Sequence, residues 1–441
     1  MLKPAGGERA WFGVKLACNN PAPLQPLAFR LVIESPTPPI SVGTPAYRKL
    51  AIALTITGFA TFSLLYSVQS LLPVFAHSFN VSAGEASLVV SVATGAMAVA
   101  LLVASVISDR VGRRQMMTGS LFAASILTLA SAALPGWHTL LLTRFLTGIA
   151  LSGIPAVAMA YVAEEVSSSS IGAAMGLYIA GSAIGGMVGR LLASVLTDWF
   201  DWRISLAVIG VSSLVGAMVF WRVAPESRAF VSRKHSWSSF YAAVKMLKND
   251  AALPWLYAEA FLLMGSFVTV YNYVSFHLLA PPYALSQTVV GLIFLFYIVG
   301  SFSSTWFGQL AGRLGRRRVF WIPIVVLLAG VILTAAGPLA WIVLGIGVVT
   351  VGYFGAHSIA SSWVSRRGRT ARAQAAAFYL FFLYVGSSVL GSVGGIAWSR
   401  ARWPGVAGFL SVLLVIALLI ALRLVAVKPL PENLPQGEII P

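Results

Sequence analysis

The stretch Asp109-Arg110-Val111-Gly112-Arg113-Arg114 joins two long apolar runs. A worn copy, Gly312-Arg313-Leu314-Gly315-Arg316-Arg317, joins two more in the second half of the chain. An acid, a glycine turn and an arginine pair form a common surface pattern, so one copy decides little. Two copies in matching places predict a duplicated chain whose apolar runs cross a membrane. Composition points the same way: 441 residues that are 58% hydrophobic and 10% charged carry more apolar surface than a water-soluble core can bury. A helix needs about 20 apolar residues to cross a hydrocarbon layer of roughly 30 Å. Twelve spans meet that need: 49–74, 86–107, 115–134, 139–162, 171–196, 204–223, 254–279, 287–310, 318–336, 339–363, 373–398 and 404–426. The fold expected is an all-α membrane protein of twelve transmembrane helices in two pseudo-symmetric six-helix bundles.

A formal charge of +17 would direct a soluble protein toward nucleic acid. Here the basic residues gather in alternate loops, so the expected partner is the lipid bilayer and not nucleic acid. Arg110, Arg113 and Arg114, then Arg222, Arg228, Arg233, Lys234, Lys245 and Lys248, then Arg313, Arg316, Arg317 and Arg318, then Arg366, Arg367, Arg369 and Arg372 fall on one side. The opposite loops hold only Arg203, Arg400 and Arg402. The basic side is expected to face the cytoplasm, with both termini there, in a bacterial inner membrane. The domains read as a disordered tail (1–46), a six-helix bundle (47–224), a central loop (225–252), a second bundle (253–427) and a short tail (428–441). Residues 240–247 of the central loop have the pattern of an amphipathic helix on the membrane surface.

Cys18 is the single cysteine, which excludes an intrachain disulfide and a Cys-based metal site. His77, His138, His235, His277 and His357 are scattered and form no His-Glu-x-x-His run. No phosphate-binding loop of the Gly-x-x-x-x-Gly-Lys-Ser/Thr type occurs. No metal, cofactor or ATP is expected, and a membrane-embedded enzyme is the less favoured class.

A second internal match runs from Gly181 to Gly189 on the fifth span and from Gly386 to Gly394 on the eleventh. Small residues at this spacing let helix backbones approach closely. Gly172, Gly181, Gly185, Gly186, Gly189, Gly386, Gly391 and Gly394 are therefore expected either to pack helices or to form a rocking contact between bundles.

The loop 109–114 resembles the Gly-x-x-x-Asp-Arg-x-Gly-Arg-Arg signature of the major facilitator superfamily, with Ser105 in place of the first glycine. The later copy keeps Gly308 and replaces the acid by Gly312. Arg144 with Gly148 is similar to the Arg-x-x-x-Gly element, and the fifth span follows the spacing of the antiporter motif, with Gly186 in place of its proline and Arg190 in place of its last glycine. Pro225-Glu226-Ser227-Arg228 looks like the usual ending of a first bundle. Residues 258–269 and 356–363 resemble the YnfM-like bacterial inner-membrane efflux carriers. The resemblance covers about Thr44 to Val427 and implies a central cavity lined by the first, fourth, seventh and tenth spans.

Ionisable residues inside spans are costly and rare, so each is a candidate. Arg144 and Arg190 are expected either to recognise an anionic or polar substrate and tune a nearby acid, or to bond backbone carbonyls or reach toward head groups. The fifth span, with Arg190, is expected to lie mainly against the opposite bundle. Glu259 is the one acid placed within a span; burial raises a carboxylate's pKa, which suits a proton carrier. Its alternative is an interfacial pair with Lys245 or Lys248. His357 extends this to a relay, or else bonds serines such as Ser358 or Ser361. No direct pair between Glu259 and Arg144 is expected, because their depths differ. Tyr66, Gln69, Tyr271 and Asn272 are expected near the level of Arg144, as substrate contacts or interface anchors.

Asp109, Arg110, Gly112, Arg113, Arg114, Glu164, Glu165, Gly315 and Arg316 are gating candidates. The resemblance implies that Asp109 meets the N-terminal end of the eleventh span, while a solvated surface cluster is the plain alternative. Together these residues predict a monomeric secondary transporter moving a small solute outward against inward proton flow. An importer or facilitator for a sugar or organic anion is the nearest rival.

Overall fold

The computed structural model describes residues 39–227, 245, 247–369 and 371–428. The expected tails at 1–38 and 429–441, and most of the central loop, lie outside the described residues. Among the described residues, eleven helices are long and apolar enough to cross a membrane. Six make up the first half: α1 (Pro45–Phe79), α2 (Ala83–Val111), α3 (Arg113–Ala133), α4 (Trp137–Glu165), α5 (Ile171–Trp199) and α6 (Trp202–Val223). The second half contributes α7 (Leu253–Leu279), α8 (Gln287–Leu314), α9 (Arg316–Thr334) and α10 (Leu339–Arg367). The last helix, Arg372–Val425, leaves helical geometry at Ala401 and Arg402, where Arg402 has a φ of 51°. That bend divides it into α11 (372–400) and α12 (403–425), which completes twelve spans.

Several helices run past the limits read from hydropathy because polar end residues continue them beyond the apolar layer. Thr44 begins α1 by accepting a hydrogen bond from the Tyr47 amide, with Pro45 in the first turn. Ser82 and Glu85 form a reciprocal cap at the start of α2. Gly112 at φ +100° and Gly315 at φ +92° turn the two arginine loops, in a region where a side chain is strained. Residues 39–46, expected within a loose tail, are partly pinned: the Ile40 amide donates to the Glu165 carbonyl (2.8 Å), and the Ser167 amide to the Ile40 carbonyl (3.0 Å). The helix itself already starts at Pro45.

The glycine repeat packs helices within each bundle. Gly181, Gly185 and Gly189 of α5 meet the backbone of α1 at Thr55, Phe59 and Ser63; a Cβ at Gly189 would stand 2.8 Å from the Ser63 Cα. In the second bundle, Gly386 of α11 presses on Phe261 of α7, and Gly394 on Thr269 and Tyr273. The expectation that α5 lies mainly against the opposite bundle is corrected by this seam, since its glycine face is spent on α1. Gly172 has open space and takes no part. Gly186 contributes its carbonyl, which accepts from Arg190 Nη1 at 2.6 Å.

Contacts between bundles gather toward the end opposite the arginine loops. Gly84 of α2 faces Gly395 of α11, and Gly291 of α8 faces Ser194 of α5. Ser388 donates to the Ser91 carbonyl at 2.7 Å, and the Thr288 amide donates to Asp198 at 3.1 Å. This end is closed.

Candidate functional site

Helix α1 is interrupted in its middle. Regular α-geometry stops at Tyr66, Ser67–Leu71 forms a 3₁₀ turn, and α-geometry resumes at Leu72, next to Pro73. A tighter turn releases carbonyls from the i to i+4 ladder, and Pro73 has no amide hydrogen to give. Those groups need other partners in an apolar layer. Arg144 supplies them. It is fully buried, and its guanidinium donates to the carbonyls of Leu64 (2.9 Å), Leu65 (2.6 Å) and Val89 (3.4 Å). Gly148, one turn on, lets α4 press against the Ala93 backbone and so brings Arg144 within reach of α2.

Arg190 serves the other side of the break. It is 2% exposed, and its Nε donates to Gln69 Oε1 at 2.8 Å, while Ser70 Oγ donates to the Arg190 carbonyl at 3.0 Å. With its oxygen taken, Gln69 turns its amide nitrogen across the bundle interface to Asn272 Oδ1 (2.7 Å) and the Val268 carbonyl (3.3 Å). Gln287 of α8 donates to the Ser70 carbonyl at 2.6 Å. The guanidinium lies over Tyr66 (4.5 Å), Tyr297 (5.1 Å) and Phe294 (5.3 Å), distances at which a ring face attracts a cation. Tyr271 stacks on Phe294 at 5.2 Å and bonds Thr350 at 2.8 Å. Tyr66, Gln69, Tyr271 and Asn272 assemble around Arg190, while Arg144 bonds the adjoining Leu64 and Leu65 carbonyls. The side chain of Arg144 points to carbonyls.

Glu259 is fully buried in α7, and neither carboxyl oxygen has a hydrogen-bond partner among the described residues. The lysine pair weighed for it does not form, and Lys245 and Lys248 are exposed. Tyr379 of α11 bonds His357 Nδ1 at 2.9 Å. His357 therefore pairs with a tyrosine and not with a serine. Tyr353 stacks on His357 (5.8 Å) and on Phe267 (3.9 Å), and Phe267 touches Tyr297 (5.7 Å). These rings form a continuous column from the Glu259 level to Arg190. Sequence reasoning missed Tyr297, Tyr353 and Tyr379; once helix ends are fixed, their placement on bundle-facing sides would have been the signal.

At the basic end, Arg113 is the hub. It pairs with Asp109 one turn back (2.5 Å) and forks onto Glu164 of α4 (2.9 and 3.2 Å), tying α2, α3 and α4 together. Asp109 and Glu165 are buried, whereas Arg110 is exposed. Arg114 turns away from the acids to the Trp221 carbonyl of α6, at 2.5 Å. In the second bundle Arg316 bonds Ser362 of α10 at 3.0 Å, a neutral hydroxyl where the first copy has acids. Asp250, not anticipated from the sequence, caps the amides of Ala252 and Leu253 and accepts from Arg367 Nε at 2.7 Å.

Comparisons with known proteins agree with this architecture. Residues 50–367 match the Major Facilitator Superfamily. The chain is 42% identical to the inner membrane transport protein YnfM of Escherichia coli over 89% of its own length and 94% of that protein. It is also 42% identical to the MFS-type transporter YybF of Bacillus subtilis, again over 89% of its length and 98% of the relative. Among solved structures, the nucleoside transporter NupG superposes with a TM-score of 0.71 at 16% identity, covering 85% of this chain and 99% of that one. A bacterial homologue of the lysosomal transporter Spinster, inward-facing, gives 0.69 at 14% identity over 87% and 96%. Such identities bear on the fold alone. With two six-helix halves, duplicated loops and close relatives over nearly its whole length, the chain belongs to the Major Facilitator Superfamily and is a multi-pass membrane transporter.

Proposed function

We propose that the protein exports a small organic solute across the bacterial inner membrane, driven by inward proton flow, through alternating opening of its two ends. The observation that carries the proton assignment is the state of Glu259: buried, inside a span, with both oxygens unpartnered among the described residues. A carboxylate held there would be an unpaired buried charge costing several kcal/mol, whereas the neutral acid carries no such penalty. Opening the basic end to water removes the penalty and lets the proton leave. Tyr379 and His357, bonded to each other, are the candidates for a relay from it.

The basic loops support a cytoplasmic assignment for that end and for both termini. Asp109, Arg113 and Glu164 then form a cytoplasmic clasp within the first bundle, and the Asp250–Arg367 pair holds the corresponding end of the second. Arg144 acts on transport indirectly, by holding the break in α1. The whole pathway lies within one chain, so a monomer suffices. Outward direction draws support from a 22% identical Helicobacter pylori relative named a probable sugar efflux transporter.

The test is proton flux in proteoliposomes with a pH-sensitive dye inside and a panel of small organic solutes outside. Wild type should move protons when a transported solute is added. Glu259→Gln, inserted at equal abundance, should lose that coupling. Full coupling with unchanged pH dependence in Glu259→Gln would remove Glu259 as the carrier.

A further inference from the structure

We infer that Arg190 anchors the carboxylate of a flat organic anion, so that the solute is an aromatic or similarly planar monocarboxylate. The inference rests on the transporter reading and names the solute class. Arg190 is a buried cation within a span, and among the described residues no acid pairs with it. Its Nε and Nη1 are used by Gln69 and Gly186, while Nη2 makes no hydrogen bond among the described residues. A buried cation without a counter-ion is costly, and the three rings around it offset that cost only in part.

The direction of the hydrogen bonds carries the argument further. Arg190 can only donate, so Gln69 must present its oxygen to it and its amide nitrogen to Asn272. Asn272 then spends its oxygen on Gln69 and leaves its amide nitrogen, fully buried, without a partner among the described residues. Tyr66 lies against the guanidinium and brings a hydroxyl to the same wall. The cluster therefore offers free donors beside a fixed positive charge, and the acceptors of Gln69 and Asn272 are already occupied. A cationic solute is repelled. A neutral sugar brings as many donors as acceptors, and of the amide oxygens of Gln69, Asn272 and Gln287 only Gln287 Oε1 is left to accept from it. A carboxylate supplies only acceptors and a negative charge, and the planar guanidinium edge matches its two oxygens. Tyr66, Phe294, Tyr297 and Tyr271 add flat apolar walls, which suit a planar body attached to that carboxylate.

The test is binding of benzoate to the purified full chain in detergent, at a pH where benzoate is ionised. Thermal unfolding and direct binding of labelled benzoate are the readouts. Benzamide, of nearly the same shape but neutral, and benzyltrimethylammonium serve as comparisons. Benzoate should stabilise the protein saturably, benzamide should need at least about tenfold higher concentration, and the ammonium should not bind. Arg190→Gln should abolish the preference of benzoate over benzamide. Arg190→Lys, which keeps the charge and loses the fork, should weaken benzoate by about tenfold, and it stands in if Arg190→Gln does not unfold cooperatively. Glu259→Gln should still bind benzoate. No benzoate binding to wild type, equal binding of benzamide, or an undiminished preference in Arg190→Gln would each overturn the inference. Proton coupling lost in Glu259→Gln without any benzoate preference sinks this inference alone, whereas benzoate binding by a protein that moves no protons sinks the transport coupling alone.

Discussion

Arg144 and Arg190 are both buried arginines of the first bundle, and both serve the same break in α1, yet they spend their charge differently. Arg144 directs its donors to three main-chain carbonyls, one of them on α2. Arg190 gives one donor to a side chain that bridges the two bundles and one to its own helix, and it rests among rings. A cation whose three nitrogens all donate to main-chain carbonyls is a structural fixture, since each is already committed to the backbone. A cation with an unused edge is available to a solute. Type, depth and burial do not separate the two residues; the partners do.

The sharpest way to break this contrast is Arg144→Ala. It strips the Leu64 and Leu65 carbonyls beside the break of their side-chain donor, takes a second donor from the Val89 carbonyl and empties a buried site, and each buried unsatisfied group costs about 1–3 kcal/mol. The expected loss is about 3 kcal/mol or more, read as a lower unfolding midpoint and a lower yield of folded protein, with Arg190→Ala much closer to wild type. Arg144→Lys should recover only part, because an ammonium lacks the fork that spans adjacent carbonyls. Wild-type stability in Arg144→Ala combined with lost solute binding would assign the solute to Arg144 instead.

Why the contrast was not visible in the sequence is a matter of local geometry. Hydropathy located twelve spans because each must cover a hydrocarbon layer alone, and the duplicated arginine loops divided them six and six. Neither signal records that α1 changes from α to 3₁₀ at Ser67, and that change decides which carbonyls need Arg144. Gln69, Tyr66 and Asn272 were legible as polar or amphipathic residues inside spans. Tyr353 and Tyr379 were not, because an aromatic residue reads alike whether it faces lipid or the bundle, and only helix rotation separates the two. The glycine repeats were legible as close contacts, but glycine spacing does not say which helix approaches, and the partner proved to be the first helix of the same bundle. Asp250 escaped because it sits just outside a span, where an acid has no evident cost.

A smaller effect is expected from Gln69→Leu, which leaves Arg144 untouched and cuts the link from Arg190 to the second bundle. Arg190 Nε, Asn272 Oδ1 and the Val268 carbonyl lose a partner together. The closed end should be weakened by about 1–3 kcal/mol. Distances between labels at the ends of α5 and α8 near Trp199 and Gln287 should shift toward a wider population. A double-mutant cycle with Asn272→Leu should show coupling of at least about 0.5 kcal/mol. Additive effects and an unchanged distance distribution would mean that the bridge does not hold this end closed.

The smallest effect is expected from Pro73→Ala, and it asks whether the break in α1 belongs to the arginines or to the proline beside it. Pro73 lies in the first turn of Leu72–Phe79, a position where proline is tolerated because its missing amide hydrogen would have no helical partner. If the 3₁₀ turn is held by Arg144 on Leu64 and Leu65 and by Arg190 on Gln69, alanine adds a donor without moving the chain. Stability should then change by less than about 1 kcal/mol, the usual scale of such exchanges at a compatible site. Hydrogen exchange of the amides at 67–71 should keep its wild-type pattern. If Pro73→Ala instead protects those amides as a continuous α-helix would, and lowers benzoate binding with it, the proline sets the break and the arginines follow. Arg144 and Arg190 would then be two responses to one kink, and their different partners would reflect position around α1 and not a division of labour.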